Sequence, residues 1–545
     1  MDNGSPASKE AASADSLPIT PRERLAVLVA SILGSSMAFI NGTSVTLALD
    51  AIQADLGASL SQMLWVASVY MLFLAALMLI GGALGDFYGR RATFSWGVGI
   101  FTLASLGCAL APNPDMLILA RAGQGIGAAL LTPMSLTLIA DVFPKGPRSM
   151  AIGIWSAASA VMTAIGPPLG GWLASEISWR WIFIIAIPIG ILTLIISLVF
   201  TPSRPPKRRP EKIDWQGAVL AFVGCSGLAF GLIALARADG AGLYEWLVPF
   251  MVGVIAIGLL IRVEQRATSP MAPPELFQSG LFNSVNFITI LLYGAMSGIF
   301  VFYPIYLKEV HHLPLMQAGL AFLGFTLPMG ILTLGSGFLM KRFGVRLLLA
   351  FGSTITMLAF AAMGLFDWSG SLWGAFIAMM IFGTGMAFVV PSMTTVIFNA
   401  TPEESHGAAS GVNNALARAA SLFAIAGYGA IAAGVFAANA GAEARFVGFG
   451  MGEALSGDVG ENYRNAMNIA FNMLIYVSMG LALSAVVVAL FFIDKTAERT
   501  SVKISARHQI FGFLRMFSTA PTREKDITQG HEILSDSQQA GSGEE

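Results

Sequence analysis

The sequence predicts an all-α polytopic membrane protein of fourteen spans, and three observations carry that prediction. Hydrophobic residues make up 55% of the 545-residue chain and charged residues 12%, about half the roughly 25% charged share of a soluble domain. Mean hydropathy is +0.71, too apolar for a core with a wetted surface. Fourteen runs come close to or exceed the ~20 mostly apolar residues that a spanning helix needs.

The elements follow in order. The chain opens on "MDNGSPASKEAASADSLPITPRER", which lacks the short apolar core of a cleaved signal. Residues 1–23 are therefore expected to form a disordered cytoplasmic tail. Six runs follow, at 24–49, 63–84, 93–112, 115–140, 150–175 and 179–200, and make up a first bundle, 24–200. The Pro-rich basic linker "TPSRPPKRRPEK" is expected to be extended and cytoplasmic. With the runs 215–236 and 246–264 it forms an inserted segment, 201–282. A second bundle, 283–493, takes the runs 283–307, 316–340, 347–366, 372–397, 409–435 and 468–493. Several runs contain Gly and Pro, which membrane helices tolerate where neighbours satisfy the freed backbone groups. The tail, 494–545, contains "SVKISARHQIFGFLRMF" with Lys503, Arg507 and Arg515. That stretch reads either as an amphipathic helix on the inner leaflet or as a solvated tail, and the residues after Ser518 read as disordered.

Orientation follows from Lys and Arg, which concentrate in cytoplasmic loops. With the N-terminus inside, the inner loops carry Arg90, Arg91, Lys145, Arg148, the basic linker, Arg262, Arg266, Lys341, Arg342 and Arg346. The outer loops carry Arg180, Arg237, Lys308, Arg445 and Arg464. Both termini are thus expected in the cytoplasm of a multi-pass cell-membrane protein.

Composition also excludes classes. Net charge is −1, so nothing suggests nucleic acid. Cys108 and Cys225 sit in apolar runs, and no disulfide framework is indicated. No metal-ligand cluster, cofactor motif or nucleophile constellation is present, so enzymatic chemistry is not expected. The lack of a phosphate-cradling P-loop argues against ATP as a driving force.

An internal repeat sets the architecture. "GALGDFYGRR", Gly82 to Arg91, and "GFLMKRFGVR", Gly337 to Arg346, share the pattern Gly-x-Leu-x-charged-x-aromatic-Gly-x-Arg. Taking spans seven and eight as an insertion, these are the same loop of two six-helix halves. Parallel halves related by an axis along the membrane normal rock around a site near the midplane in a large class of transporters.

The first loop resembles the signature of the major facilitator superfamily, through Gly82, Leu84, Asp86, Gly89, Arg90 and Arg91. "RAGQGIGAA", with Arg121, Gln124, Gly125 and Gly127, resembles that family's helix-four motif. "GPPLGG", with Gly166, Pro167, Gly170 and Gly171 and with Gly153 upstream, resembles the helix-five motif of antiporters, although Met162 replaces one of its glycines. "SWRWIF", Trp65 and Tyr70 fit the fourteen-span drug:proton antiporter branch. The resemblance covers about residues 24–493. It implies two six-helix bundles plus two inserted helices, alternating access, and export of small amphiphilic compounds by proton antiport. An alternative is a dedicated exporter or flippase of one endogenous, anionic or lipid-like metabolite with non-standard coupling. A second is a sensor or scaffold that no longer transports; retention of Asp86, Arg121 and GPPLGG speaks against it. The partners implied are a small-molecule substrate, the proton and the lipid bilayer.

The motif residues also have a physical reading. Asp86 can pair with Arg90, and Arg90 can reach Asp141 at the inner end of span four. That set, with Gly82, Gly89 and Arg91 of the same loop, reads either as a cytoplasmic gate held by a charge latch or as plain topology charges with a local partner. Lys341 stands where Asp86 stands, so no matching latch is expected in the second half. The prolines and glycines of span five read either as a hinge or as tight packing.

Arg121 is the sharpest residue, because a charge inside a span normally faces a cavity or a partner. It lies roughly 9 Å inside the outer end of span four, and Asn41 roughly 12 Å inside that of span one, at about 1.5 Å per residue. "AFINGTSVTLALD" adds Thr43, Ser44 and Thr46. In the resembled family an Asp occupies the place of Asn41 and can pair with the helix-four Arg. The polar run is expected to line the cavity with Arg121 and Gln124 and to hydrogen-bond toward Arg121; the alternative is a satisfied helix–helix contact. A neutral amide takes no proton, and no Asp or Glu lies mid-span. Asp50 and Glu309, near span ends, remain as possible proton sites. Arg121 and Arg418 then favour an anionic or zwitterionic substrate. "SGVNNALAR" supplies Asn413, Asn414 and Arg418 as the second half's expected share of the cavity. Met37, Phe39, Trp65, Tyr70 and Tyr303 are candidates for adaptable apolar contact.

Overall fold

The structure, a computed structural model, describes residues 19–202, 215–235, 242–267, 270, 273–365, 371–402, 406–441, 450 and 457–493. Residues 1–18, the linker beyond residue 202, the C-terminal tail, Arg237 and Arg445 lie outside the described residues; the end of the expected N-terminal tail, 21–23, is instead the first turn of a helix.

Fourteen long helices run through the described residues. In the first half they are α1 Pro21–Leu56, α2 Leu60–Tyr88, α3 Arg90–Ala109, α4 Pro114–Val142, α5 Lys145–Glu176 and α6 Trp181–Phe200, the last interrupted at Ile185. The inserted pair is α7 Trp215–Ala234 and α8 Leu243–Glu264. The second half has α9 Gly280–Glu309, α10 Leu315–Phe343, α11 Val345–Leu365, α12 Leu372–Asn399, α13 His406–Asn439 and α14 Gly457–Phe492. Thirteen of them are long and apolar enough to cross a membrane by length and composition. The other, α5, is a continuous helix that carries Pro167 and Pro168 within it.

Local chemistry sets the ends. Thr20 and Glu23 form a reciprocal capping box ahead of Pro21, and Ser59 and Gln62 form another at α2. Gly57 closes α1 at φ 62°, a conformation that suits a residue without Cβ. The expected boundary between the third and fourth runs moves, because Asn113 caps α4 with its side-chain oxygen 2.9 Å from the Met116 amide and Pro114 fixes the first turn. Helices overrun the apolar runs where their ends are polar. The largest overrun is at α14, which begins at Gly457 and carries Asp458, Glu461 and Arg464 in its first turns.

The halves repeat each other. α1 packs on α4, α5 and α6, α2 and α3 on α4, and α3 on α6. The same pairings recur eight helices later: α9 with α12, α13 and α14, α10 and α11 with α12, and α11 with α14. The repeated loop keeps its geometry. Gly89 has φ 94° and Gly344 φ 83°, and each donates back to the carbonyl four residues earlier. Arg91 donates to the Leu198 carbonyl at the end of α6, and Arg346 to the Leu490 carbonyl at the end of α14. A cation at a helix C-terminus satisfies orphan carbonyls and complements the dipole.

The halves meet along α5–α10, α2–α13 and α1–α9, and the inserted α7 packs on α2 and α13. Inner and outer are used here in the sense set by the loop charges. The outer side is closed. Lys308 of α9 holds Asp50 of α1 at 3.2 Å, a Cβ on Gly319 of α10 would lie 3.0 Å from Pro168 of α5, and one on Gly429 of α13 would lie 2.7 Å from Leu64 of α2. One apolar cluster accordingly runs from the outer parts of α1 and α2 into the second half. The inner part of the first half keeps its own cluster around Val27, Phe94, Leu138 and Phe143.

Candidate functional site

The polar core of the first half is built from four helices. Arg121 of α4 is 1% exposed, as is Asn41 of α1. The Arg121 Nε donates to the Val66 carbonyl of α2 at 3.2 Å and its Nη1 to Gln124 Oε1 at 3.0 Å. Its guanidinium lies 4.6 Å from the Tyr70 ring centroid. Gln124 Nε2 donates to Ser105 Oγ of α3 at 2.8 Å and to Asn41 Oδ1 at 3.4 Å. Cys108 Sγ donates to Gln124 Oε1 at 3.5 Å, and Tyr70 donates to the Ala38 carbonyl at 3.0 Å. Asn41 and Arg121 thus belong to one network, with Gln124 between them and no direct pair. The open aqueous face expected for both is not what this outer-closed state presents: the network is sealed, with the Tyr70 ring over the guanidinium. Ser105, Cys108 and the Val66 carbonyl were not legible as members, since each reaches the hub only through helix packing.

Thr43, Ser44 and Thr46 point to different partners. Thr43 donates to the Thr163 carbonyl of α5 at 3.2 Å. That carbonyl lies four residues before Pro167, which has no N–H to offer it. Ser44 donates to the Gly166 carbonyl at 2.8 Å, and Thr46 to the Thr43 carbonyl of its own helix. A Cβ on Gly166 would sit 1.9 Å from Thr43 Oγ1, and one on Gly170 2.3 Å from the Ser44 carbonyl oxygen. The glycines therefore let α5 lie directly on the polar stripe of α1. Gly171 is buried beside them, and Gly153 lies in the first turns of the same helix.

At the inner end of the first half Arg90 Nη1 lies 2.6 Å from Asp141 Oδ2 and 3.4 Å from the Thr137 carbonyl oxygen. The side chain of Asp86 lies outside the described residues, and Gly82 faces open space. Arg91 serves α6, as above.

In the second half Asn413 donates to Asn286 Oδ1 at 2.9 Å and to Thr289 Oγ1 at 2.8 Å, both on α9. Asn414 is exposed and donates to its own helix at the Ser410 carbonyl. Arg418, partly exposed, lies over the Phe39 ring of α1 at 5.8 Å. Of the proposed adaptable contacts, Phe39 alone is placed against a candidate cavity charge from the other half. Met37 and Tyr303 are core, Tyr303 stacks on Phe471, and Trp65 packs on Phe230 of the inserted hairpin. Glu309 is 4% exposed at the outer end of α9, next to Lys308. A further outer cluster joins α1 to the α5–α6 turn: Asp55 accepts from Arg180 at 2.6 Å and from Trp179 at 3.1 Å. "SWRW" was the visible signal for it, without its partner.

The Major Facilitator Superfamily profile matches residues 30–427. The chain belongs to that family. Among its relatives within the superfamily, the Tetracenomycin C resistance and export protein of Streptomyces glaucescens is 32% identical over 388 residues, 71% of each chain. The Cephamycin export protein CmcT of Amycolatopsis lactamdurans is 34% identical over 390 residues, 70% of this chain and 79% of that one. In three dimensions the major facilitator fold aligns with a bacterial homolog of the human lysosomal transporter Spinster in an inward-facing, occupied conformation, with a TM-score of 0.64. That match has 20% identity and covers 88% of this chain and 99% of the other.

Proposed function

We propose that this major facilitator transporter exports small amphiphilic compounds across the cell membrane by alternating access, in exchange for protons, with both termini in the cytoplasm. The observation that carries the reading is its likeness, across some 70% of the chain, to proteins named for antibiotic export. The two repeated halves and the closed outer side supply the moving parts. Arg90 and Asp141, with Asp86, act as the inner latch, and the α5 glycines and prolines as the hinge against α1. The sealed network of Asn41, Gln124 and Arg121 is the part of the first half that must rearrange when the outer side opens. Asp50, held by Lys308 across the halves, and buried Glu309 are the carboxylates that serve as proton sites. Neither ATP nor nucleic acid has a role.

Reconstituted protein in pH-loaded liposomes tests this. Addition of a substrate from a panel of cationic and anionic amphiphiles should move protons in the opposite direction, and Asp50→Asn should weaken that flux. Substrate movement without proton movement would refute antiport. A dedicated exporter of one anionic or lipid-like metabolite is the second reading. Asn41, which stands where a titratable Asp stands in the resembled branch, favours it.

A further inference from the structure

We propose that Arg418 is the head of an anion-binding site at the seam between the two halves. Its ligand is an amphiphile that carries a carboxylate, sulfonate or phosphate group beside a planar apolar body. This rests on the export reading and names the substrate class for it.

Arg418 is the twelfth residue after the start of α13, which runs His406–Asn439, so it lies roughly 18 Å from the inner helix end at about 1.5 Å per residue. A charge at such depth is expensive unless it meets a partner or a wet cavity. The helices packed against α13 (α2, α7, α9, α12 and α14) carry Asp and Glu at their ends alone: Asp86, Glu309, Asp458 and Glu461. Among the described residues Arg418 makes no ion pair and no hydrogen bond. Its one recorded contact is the Phe39 ring of α1, across the seam, at 5.8 Å. A cation over an aromatic face recovers part of the lost hydration, but all five guanidinium N–H donors remain available.

Arg121 differs in each respect. It is sealed, donates within its own half and is capped by Tyr70. Arg418 is partly exposed and stands where the halves part. The guanidinium fork matches planar oxyanions two bonds at a time, and Phe39 offers a ring face for a flat apolar body. The missing counter-charge is then supplied by the cargo, and binding at the seam is where a rocking transporter senses it from both halves.

The test uses full-length protein in phosphatidylcholine nanodiscs and one ring system with three charges: 2-naphthalenesulfonate, 2-naphthol and 2-naphthyltrimethylammonium. Calorimetric titration should show the sulfonate binding about tenfold more tightly than the naphthol. Arg418→Gln should erase that preference and leave naphthol affinity unchanged. Arg418→Lys, which keeps the charge and loses the fork, should retain part of it. Phe39→Leu should weaken all three, and it keeps the test open if Arg418→Gln fails to fold. Added phosphatidylglycerol that competes with the sulfonate in the parent, and not in Arg418→Gln, identifies a lipid headgroup as occupant; no competition identifies a free small molecule. Equal affinity of the parent for all three compounds, or an unchanged preference in Arg418→Gln, overturns the site. Liposome transport is read separately. Sulfonate preference without export would refute the export reading and keep the site, and export without charge preference would do the reverse.

Discussion

The two halves share a helix arrangement and differ in what fills it. Glycine contacts align them. Gly125 meets the Tyr70 carbonyl where Gly383 meets that of Phe325, and Gly127 meets Gly97 where Gly385 meets Gly352. By that alignment Arg121 corresponds to Met379, Gln124 to Phe382, Tyr70 to Phe325, Ser105 to Phe360 and Cys108 to Met363. The first half's hydrogen-bonded hub is, in the second, a cluster of tilted rings: Phe382 lies 4.9 Å from Phe325 and 5.0 Å from Phe360, ring to ring. Aromatic pairs add about 0.5–1.5 kcal/mol each beyond burial and need no partner. A buried Arg without a carboxylate is stable only while its donors stay satisfied. The second half's matching site thus needs no polar partner, while the first holds a group whose donors need partners in any conformation.

The largest effect should come from removing the hub. Arg121→Ala is expected to abolish transport, by a hundredfold or more on the order-of-magnitude scale of a lost buried network, with membrane insertion and monodispersity intact. Met379→Ala, at the matching position, should lower the melting temperature and leave transport measurable. Comparable losses in both would remove the distinction between the halves, and normal transport by Arg121→Ala would reduce Arg121 to packing.

A second, smaller asymmetry lies at the inner ends. Arg90 pairs with Asp141, whereas Val345 and Asn399 occupy the matching positions. Arg90→Gln should lower transport roughly tenfold, equivalent to about 1.4 kcal/mol, and raise the reactivity of cysteines placed at the inner ends of α2 and α4. Asp86→Asn should act in the same direction. Asn399→Ala should change neither readout. Cysteine reactivity that stays at the parent's level in Arg90→Gln would exclude a latch.

At the outer mouth Asp50→Asn reproduces the protonated carboxyl and removes the partner of Lys308. An ion pair that bridges the halves stabilises the closed outer side, and acid, by neutralising Asp50, should favour opening. The variant should be more open outside by spin-label distances and should lose that response to acid. An unchanged distance distribution at all pH values would clear Asp50 of the role.

Much of this was legible beforehand. Hydropathy alone counted the helices, because a spanning segment must be apolar along its length. It missed their ends, as at α14, because polar turns outside the bilayer continue a helix without any hydropathy signal. Arg121 stood out as a charge in an apolar run, yet its partner was misplaced. The reach of Gln124 and the arrival of Ser105 depend on how α3 and α4 pack, which one segment does not encode. Pro167 announced an orphan carbonyl, but only the structure assigns it to Thr43 of α1. Arg91, read with the latch, instead caps α6, as Arg346 caps α14.

The smallest change in rate, and the closest probe of the polar half, is Asn41→Asp. Asn41 Oδ1 already accepts from Gln124 at 3.4 Å, so an aspartate fits the site with the same acceptor. It loses the side-chain donor to the Met37 carbonyl at 3.2 Å, a group the helix backbone still satisfies, and it places a carboxylate in a dry site, which costs desolvation. In return the sealed network gains a negative charge one side chain away from Arg121. At neutral pH these effects oppose each other, and transport should change by about twofold or less. The pH profile should not stay put. The first half would then hold a carboxylate that must ionise beside Arg121 to seal and take up a proton to release it, so turnover should become steeper in pH. Anionic substrates should also lose affinity relative to neutral ones, because part of the positive field is cancelled. Gln124→Leu, which removes the bridge, should abolish both new behaviours. A parent-like pH profile and substrate range in Asn41→Asp would mean that the network is helix–helix glue, and that the two halves differ in chemistry without differing in task.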